Sequence, residues 1–118
     1  MRLAALLIAV LALDLTAVTQ PEDYPRPVDE ATARKKMLEH AEPLYPPIAR
    51  AARVQGTVEI AVVINPAGKI SSEKVLSGPA MLQQAALDAV EQWHYRPYLL
   101  NGQPVEVETT INVVFTLN

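Results

Sequence analysis

The C-terminal stretch Thr109 to Leu117, TTINVVFTL, constrains this chain most. Thr109, Ile111, Val113, Phe115 and Leu117 fall on one side of an extended backbone, and Thr110, Asn112, Val114 and Thr116 fall on the other. A period of two marks a half-buried β-strand. The same phase runs upstream through Val105 and Val107, with Glu106 and Glu108 facing out, so the alternation outlasts an ordinary strand of about five or six residues. Such a strand needs a sheet around it to bury one face. If it lies at the edge of that sheet, its row of N–H and C=O groups is a template for another chain.

The rest of the chain sets the setting for that strand. At 118 residues it permits one domain with a small core. Half of the residues are hydrophobic (50%) and the formal net charge is −3, which leaves no basic footprint for a phosphate backbone and excludes nucleic acid as a partner. There is no cysteine, so disulfides, zinc-thiolate sites and Cys nucleophiles are excluded. Met1-Arg2 is followed by the apolar run Leu3 to Leu13, ended by Asp14. The run is shorter than the roughly 20 residues a bilayer span needs, and residues 1–19 read as a secretory signal peptide that delivers a periplasmic domain. A retained inner-membrane anchor and a buried helix are the alternatives.

Residues 20–44 read as a proline-rich linker. QPEDYPRP opens it, and Asp29 can cap a short helix starting at Glu30, although the later part reads equally well as extended. The compact domain is residues 45–118. Pro47 suits the first turn of a helix running to Val54, with Ile48, Ala51 and Ala52 inward and Gly56 as its left-handed stop. Thr57 to Ile64 alternates as a strand. Asn65-Pro66-Ala67-Gly68 is a turn, and Lys69 to Ser77 returns with a phase slip that signals a bulge between Ser71 and Lys74. After Gly78-Pro79, Leu82, Ala85, Ala86, Ala89, Val90 and Trp93 recur at helical spacing, with Trp93 the largest anchor. His94-Tyr95-Arg96-Pro97 leaves that helix extended, and Asn101-Gly102 is a type I′ turn signal. The order helix, strand, strand, helix, strand predicts an α+β two-layer sandwich, a three-stranded antiparallel meander with two helices on one face.

In order and at these spacings, YPPIARAARVQGTVEIAVVINPAGKI, VLSGP, ALDAVEQWHYRP and the closing strand up to FTL resemble the TonB C-terminal domain family of periplasmic energy transducers. The resemblance covers about Pro43 to Leu117. It implies the same α+β fold, and it implies that Thr109, Thr110, Ile111, Asn112, Val113, Val114, Phe115 and Thr116, with Tyr45 and Pro46 nearby, bind the TonB box of outer-membrane receptors by strand addition. Gly56, Gly68, Trp93, Tyr95 and Pro97 are then structural positions. With a signal-like run in place of a membrane anchor, engagement of a proton-driven motor of the ExbB and ExbD type is not expected. A different class of function uses the same edge: a structural or assembly domain that homodimerises through paired C-terminal strands.

Catalysis is not expected, and neither is a cofactor or a metal. His40 lies beside Glu39 and Glu42, but a metal site needs further ligands held close. Ser71 or Ser77 with His94 and Asp88 lacks any nucleophile-elbow context. Gly68 and Gly78 are accounted for by turns, so no phosphate-cradling loop is present.

Overall fold

A computed structural model describes residues 25–118; the signal-peptide reading of residues 1–19 and the opening of the linker at residues 20–24 lie outside them. In chain order the elements are β1 (Arg26–Pro27), α1 (Glu30–Arg34), β2 (Met37–Glu39), α2 (Pro47–Ala51), β3 (Gly56–Ile64) and β4 (Ile70–Ser77). There follow α3 (Ala80–Val90), β5 (His94–Tyr95), β6 (Tyr98–Leu100), β7 (Gln103–Val105) and β8 (Val107–Phe115). The architecture is α+β, a sheet with helices on one face.

β3 is the centre of the main sheet. Its alternation places Val58, Ile60, Val62 and Ile64 in the core, and β8 answers with Val107, Thr109, Ile111, Val113 and Phe115. The two strands pair antiparallel without a break from Gly56↔Phe115 to Ile64↔Val107. β4 lies on the other side of β3, and β8 returns beside the first strand of the hairpin rather than the second, so the three antiparallel strands are not the expected meander, and β1 adds a fourth, parallel strand. The main-sheet order is therefore β1-β8-β3-β4. The phase slip expected in β4 takes the form of two register shifts against β3, one passing Ser71 and one passing Leu76.

Local chemistry explains the turns. In the β3–β4 connection the Asn65 side-chain oxygen accepts from the amides of Ala67 and Lys69, each at 3.0 Å, which is the Asx geometry that tightens a turn. Gly68 closes it at φ +88° and presses on β5: a Cβ there would stand 1.9 Å from the Tyr95 carbonyl oxygen. The Tyr95 amide donates to the Gly68 carbonyl at 2.8 Å, so hairpin and β5 are fastened at one point.

α3 covers β3 and β4 with Leu82, Ala86, Ala89 and Val90 inward. Trp93 follows the helix, 7% exposed, with its Nε1–H donated to the Ala41 carbonyl at 2.9 Å and its ring edge-on to His40. α2 departs from the sequence reading. Its inward residue is Ala49, whereas Ile48 is 67% exposed and Ala51 and Ala52 face solvent. The helix also ends earlier, at Ala51. Arg53 takes the left-handed conformation at φ 57°, and the Val54 amide reaches back to the Ala49 carbonyl at 2.9 Å. This is a Schellman closure built on Arg53, and Gly56 instead opens β3.

The segment read as linker contributes β1, α1 and β2. β2 pairs with β5, β1 pairs with β8, and Ala33 of α1 is buried in the common core. The final strand read through Val105 is divided: β7 forms a separate hairpin with β6 across Asn101-Gly102, and β8 begins at Val107. Among the described residues, no helix is long and apolar enough to cross a membrane.

Candidate protein-binding edge

In a β-strand both side chains and main-chain groups alternate with period two. The odd-numbered residues of β8 send side chains to the core, and their main-chain groups pair with β3. The even-numbered residues Glu108, Thr110, Asn112 and Val114, with Thr116 beyond the strand, send side chains to the opposite face and main-chain groups to the side away from β3. The candidate binding residues thus divide. Thr109, Ile111, Val113 and Phe115 are 3–6% exposed and support the strand. Thr110, Asn112, Val114 and Thr116 carry the accessible row.

That row is not bare along its whole length. β1 runs parallel to β8 with Arg26↔Val107 and Pro27↔Glu108 in register. The Arg26 amide donates to Glu106 O at 3.0 Å, and the Val28 amide to Glu108 O at 2.8 Å. Four residues further along, Glu30 reaches the same edge. Its carboxylate accepts the Asn112 amide at 3.1 Å and the Asn112 side-chain Nδ2 at 2.8 Å, and it also accepts Arg34 Nη2 at 2.8 Å. Asp29 caps α1 by accepting the Thr32 amide at 2.7 Å, and hydrogen bonding from Thr32 holds the Asp29 carboxyl below its ordinary value. Among the described residues no strand pairs with this side of β8 beyond Glu108.

Beside Glu30 and Asn112 opens a cleft of about 290 Å³, lined by Ala33, Met37, His40, Trp93, Tyr95 and Ile111 among others. Burial, together with the nearby Glu30 carboxylate, pushes the Tyr95 hydroxyl up to about 12. Among the described residues the buried Thr109 Oγ1 has no hydrogen-bond partner, a desolvation cost on the order of 1–3 kcal/mol.

Tyr45 meets β8 from the core side at its far end. Its ring stands edge-on to Phe115 at 5.5 Å, its hydroxyl donates to the Val54 carbonyl, and the Arg50 guanidinium lies 4.9 Å over its face. Pro46 does not join it at the edge and lines a groove with Leu44, Met81 and Gln84 beside α3. His94 Nδ1 lies 2.8 Å from Glu39 Oε1 across the β2–β5 pair, while Ser71 Oγ and Ser77 Oγ donate to the Val63 carbonyl and to Glu59 Oε1. Pro97 sits exposed between β5 and β6. Sequence reasoning missed Glu30, which it read only as the first residue of a helix. Its partner Asn112 lies 82 positions away, and nothing local announces that contact.

A sequence model of the Gram-negative bacterial TonB protein C-terminal family matches residues 41–117. Protein TonB of Vibrio cholerae is 36% identical over 78 residues, covering 64% of this chain and 32% of that protein. Protein TonB of Escherichia coli K12 is 28% identical over 106 residues, covering 88% of this chain and 42% of that protein. The chain therefore spans well under half the length of these curated relatives. Among solved structures, the solution structure of the Pseudomonas aeruginosa TonB C-terminal domain superposes with a TM-score of 0.61 at 26% identity, covering 70% of this chain and 86% of that one. The TonB2 protein of Vibrio anguillarum shares the fold, with a TM-score of 0.53 at 22% identity over 93% of this chain and 96% of that one. By its match over most of its length, this chain belongs to the TonB C-terminal family of Gram-negative bacteria.

Proposed function

We propose that this chain is a periplasmic recognition module for outer-membrane transport, which takes the TonB box of a receptor as an added strand on the β8 edge. The carrying observation is the character of that edge. β8 keeps nine consecutive registered pairs with β3, so its outward groups are evenly spaced, and beyond Glu108 they meet no other strand among the described residues. The opposite edge of the sheet, β4, carries two register shifts and an outward Lys74, the features that blunt an edge against pairing. Family membership supports the same reading, and a role in force transmission is not required by it.

Magnitudes favour a reversible contact. An added strand gains a net ~1 kcal/mol per hydrogen bond, and one or two apolar side chains add about 1.5–3 kcal/mol each. Association opposes these gains with several kcal/mol, so affinity is micromolar or weaker. The test is titration of the ¹⁵N-labelled chain with synthetic TonB-box peptides. The amides of Thr110, Asn112 and Val114 should shift, and those of β4 should not. Silence at β8 with millimolar peptide, or shifts confined to β4, would refute the assignment. Sedimentation of the free chain addresses the alternative use of the edge, because a stable dimer through paired β8 strands leaves no place for a peptide.

A further inference from the structure

We propose, resting on the strand-addition reading above, that residues 26–34 are a resident strap on the β8 edge which an incoming peptide has to displace, with the Glu30 carboxylate as its latch. The strap engages the outward main-chain groups that a partner would use. Arg26 and Val28 donate to Glu106 O and Glu108 O, and Glu30 takes both donors of Asn112, at 3.1 and 2.8 Å.

The strap also ends the sheet. With the amides of Arg26 and Val28 turned to β8, the alternation turns the nitrogens of Pro25 and Pro27 outward, and proline has no N–H to give. A partner strand cannot build on the outside of β1; it replaces β1 or stays on the short stretch past Asn112. The strap is lightly held as well. Both β1 residues are exposed, and of residues 26–34 only Ala33 is buried. A segment with so little buried surface belongs to the low-stability end of the molecule.

The test locks and unlocks the strap in the full chain. The protein has no cysteine of its own, and Pro27 and Glu108 are exposed registered partners. Neighbouring strands lie about 4.8 Å apart, within the roughly 4.4–6.8 Å that a disulfide spans. In the double variant Pro27→Cys, Glu108→Cys, oxidation should weaken binding of a synthetic TonB-box peptide at least about tenfold, and reductant should restore it. Glu30→Ala, at a partly exposed position outside the core, removes both contacts to Asn112 and should tighten binding roughly ten- to thirtyfold as the competent fraction rises, and it carries the comparison on its own if the cysteine pair disturbs folding. Equal affinity in both redox states and in Glu30→Ala, with Asn112 still shifting, would overturn the strap and leave strand addition standing. Absence of binding in every form, the reduced and Glu30→Ala chains included, would overturn both.

Discussion

Alanine at Gly68 and at Gly102 separates two reasons for a glycine. Both residues have positive φ, +88° and +80°. An L-residue in that region is strained by about 1–2 kcal/mol. At Gly102 this is the whole effect, because nothing lies within 4 Å of where the Cβ would be. At Gly68 the new carbon would stand 1.9 Å from a backbone oxygen, that of Tyr95, and 3.0 Å from its carbonyl carbon. A main-chain group cannot swing aside as a flexible side chain does, so the turn must lift off β5. Lifting breaks the 2.8 Å bond from the Tyr95 amide to the Gly68 carbonyl, and an unsatisfied buried donor costs about 1–3 kcal/mol. Gly68→Ala should therefore cost about 2–5 kcal/mol, and Gly102→Ala about 1–2 kcal/mol. Urea unfolding of both variants, followed by Trp93 fluorescence and far-ultraviolet circular dichroism, measures the difference. Two variants equal within about 0.5 kcal/mol would show that the docking of the β3–β4 turn on β5 contributes nothing, and the reasoning would fail.

Trp93→Ala should cost about 3–5 kcal/mol, a large part of the stability of a domain this size, whereas Trp93→Phe should cost about 1 kcal/mol through the lost bond to Ala41; thermal melts of the pair discriminate ring from N–H. The Tyr95 hydroxyl, at about 12 in the folded chain against an ordinary 10.0, keeps its proton in the folded state while the unfolded chain loses it. That contribution is fully present below pH ~10 and declines as pH rises toward 12, so denaturation midpoints should fall across that window. Tyr95→Phe should flatten the fall, and an unchanged slope would refute the cause.

Periodicity made the sheet legible. Val58, Ile60, Val62 and Ile64 against Ile111, Val113 and Phe115 could be read as facing rows, because a strand with one buried face leaves a period of two in its residues. α3 was equally plain from Leu82 to Val90. α2 was not: with five residues it is too short for a stripe to fix its phase, and Ala49 and Ile48 exchanged places. Its stop was misread because Gly56 is the residue a sequence reader trusts in a left-handed position, whereas the helix closes three residues earlier through local hydrogen bonds around the exposed Arg53. The edge itself was half legible. That Asn112 and Val114 look outward follows from alternation alone, but their neighbours are set by long-range contacts such as Glu30 to Asn112, which leave no local signature.

The proposed strap changes what selects a partner in the proposed strand addition. Backbone pairing is indifferent to sequence, so an open β8 edge would accept any extended segment, including another copy of itself. The resident contacts to Glu106 O, Glu108 O and Asn112 N, at a net ~1 kcal/mol each, with the Asn112 side-chain bond as a fourth, raise a threshold of about 3–4 kcal/mol. A short or poorly registered strand that gains only a few hydrogen bonds on Thr110 to Thr116 does not exceed it. A partner that pairs along the row and also places an apolar side chain beside Met37 and Trp93, in the cleft next to Asn112, does. Recognition then depends on length, register and one side chain together, while the small net gain keeps the contact reversible.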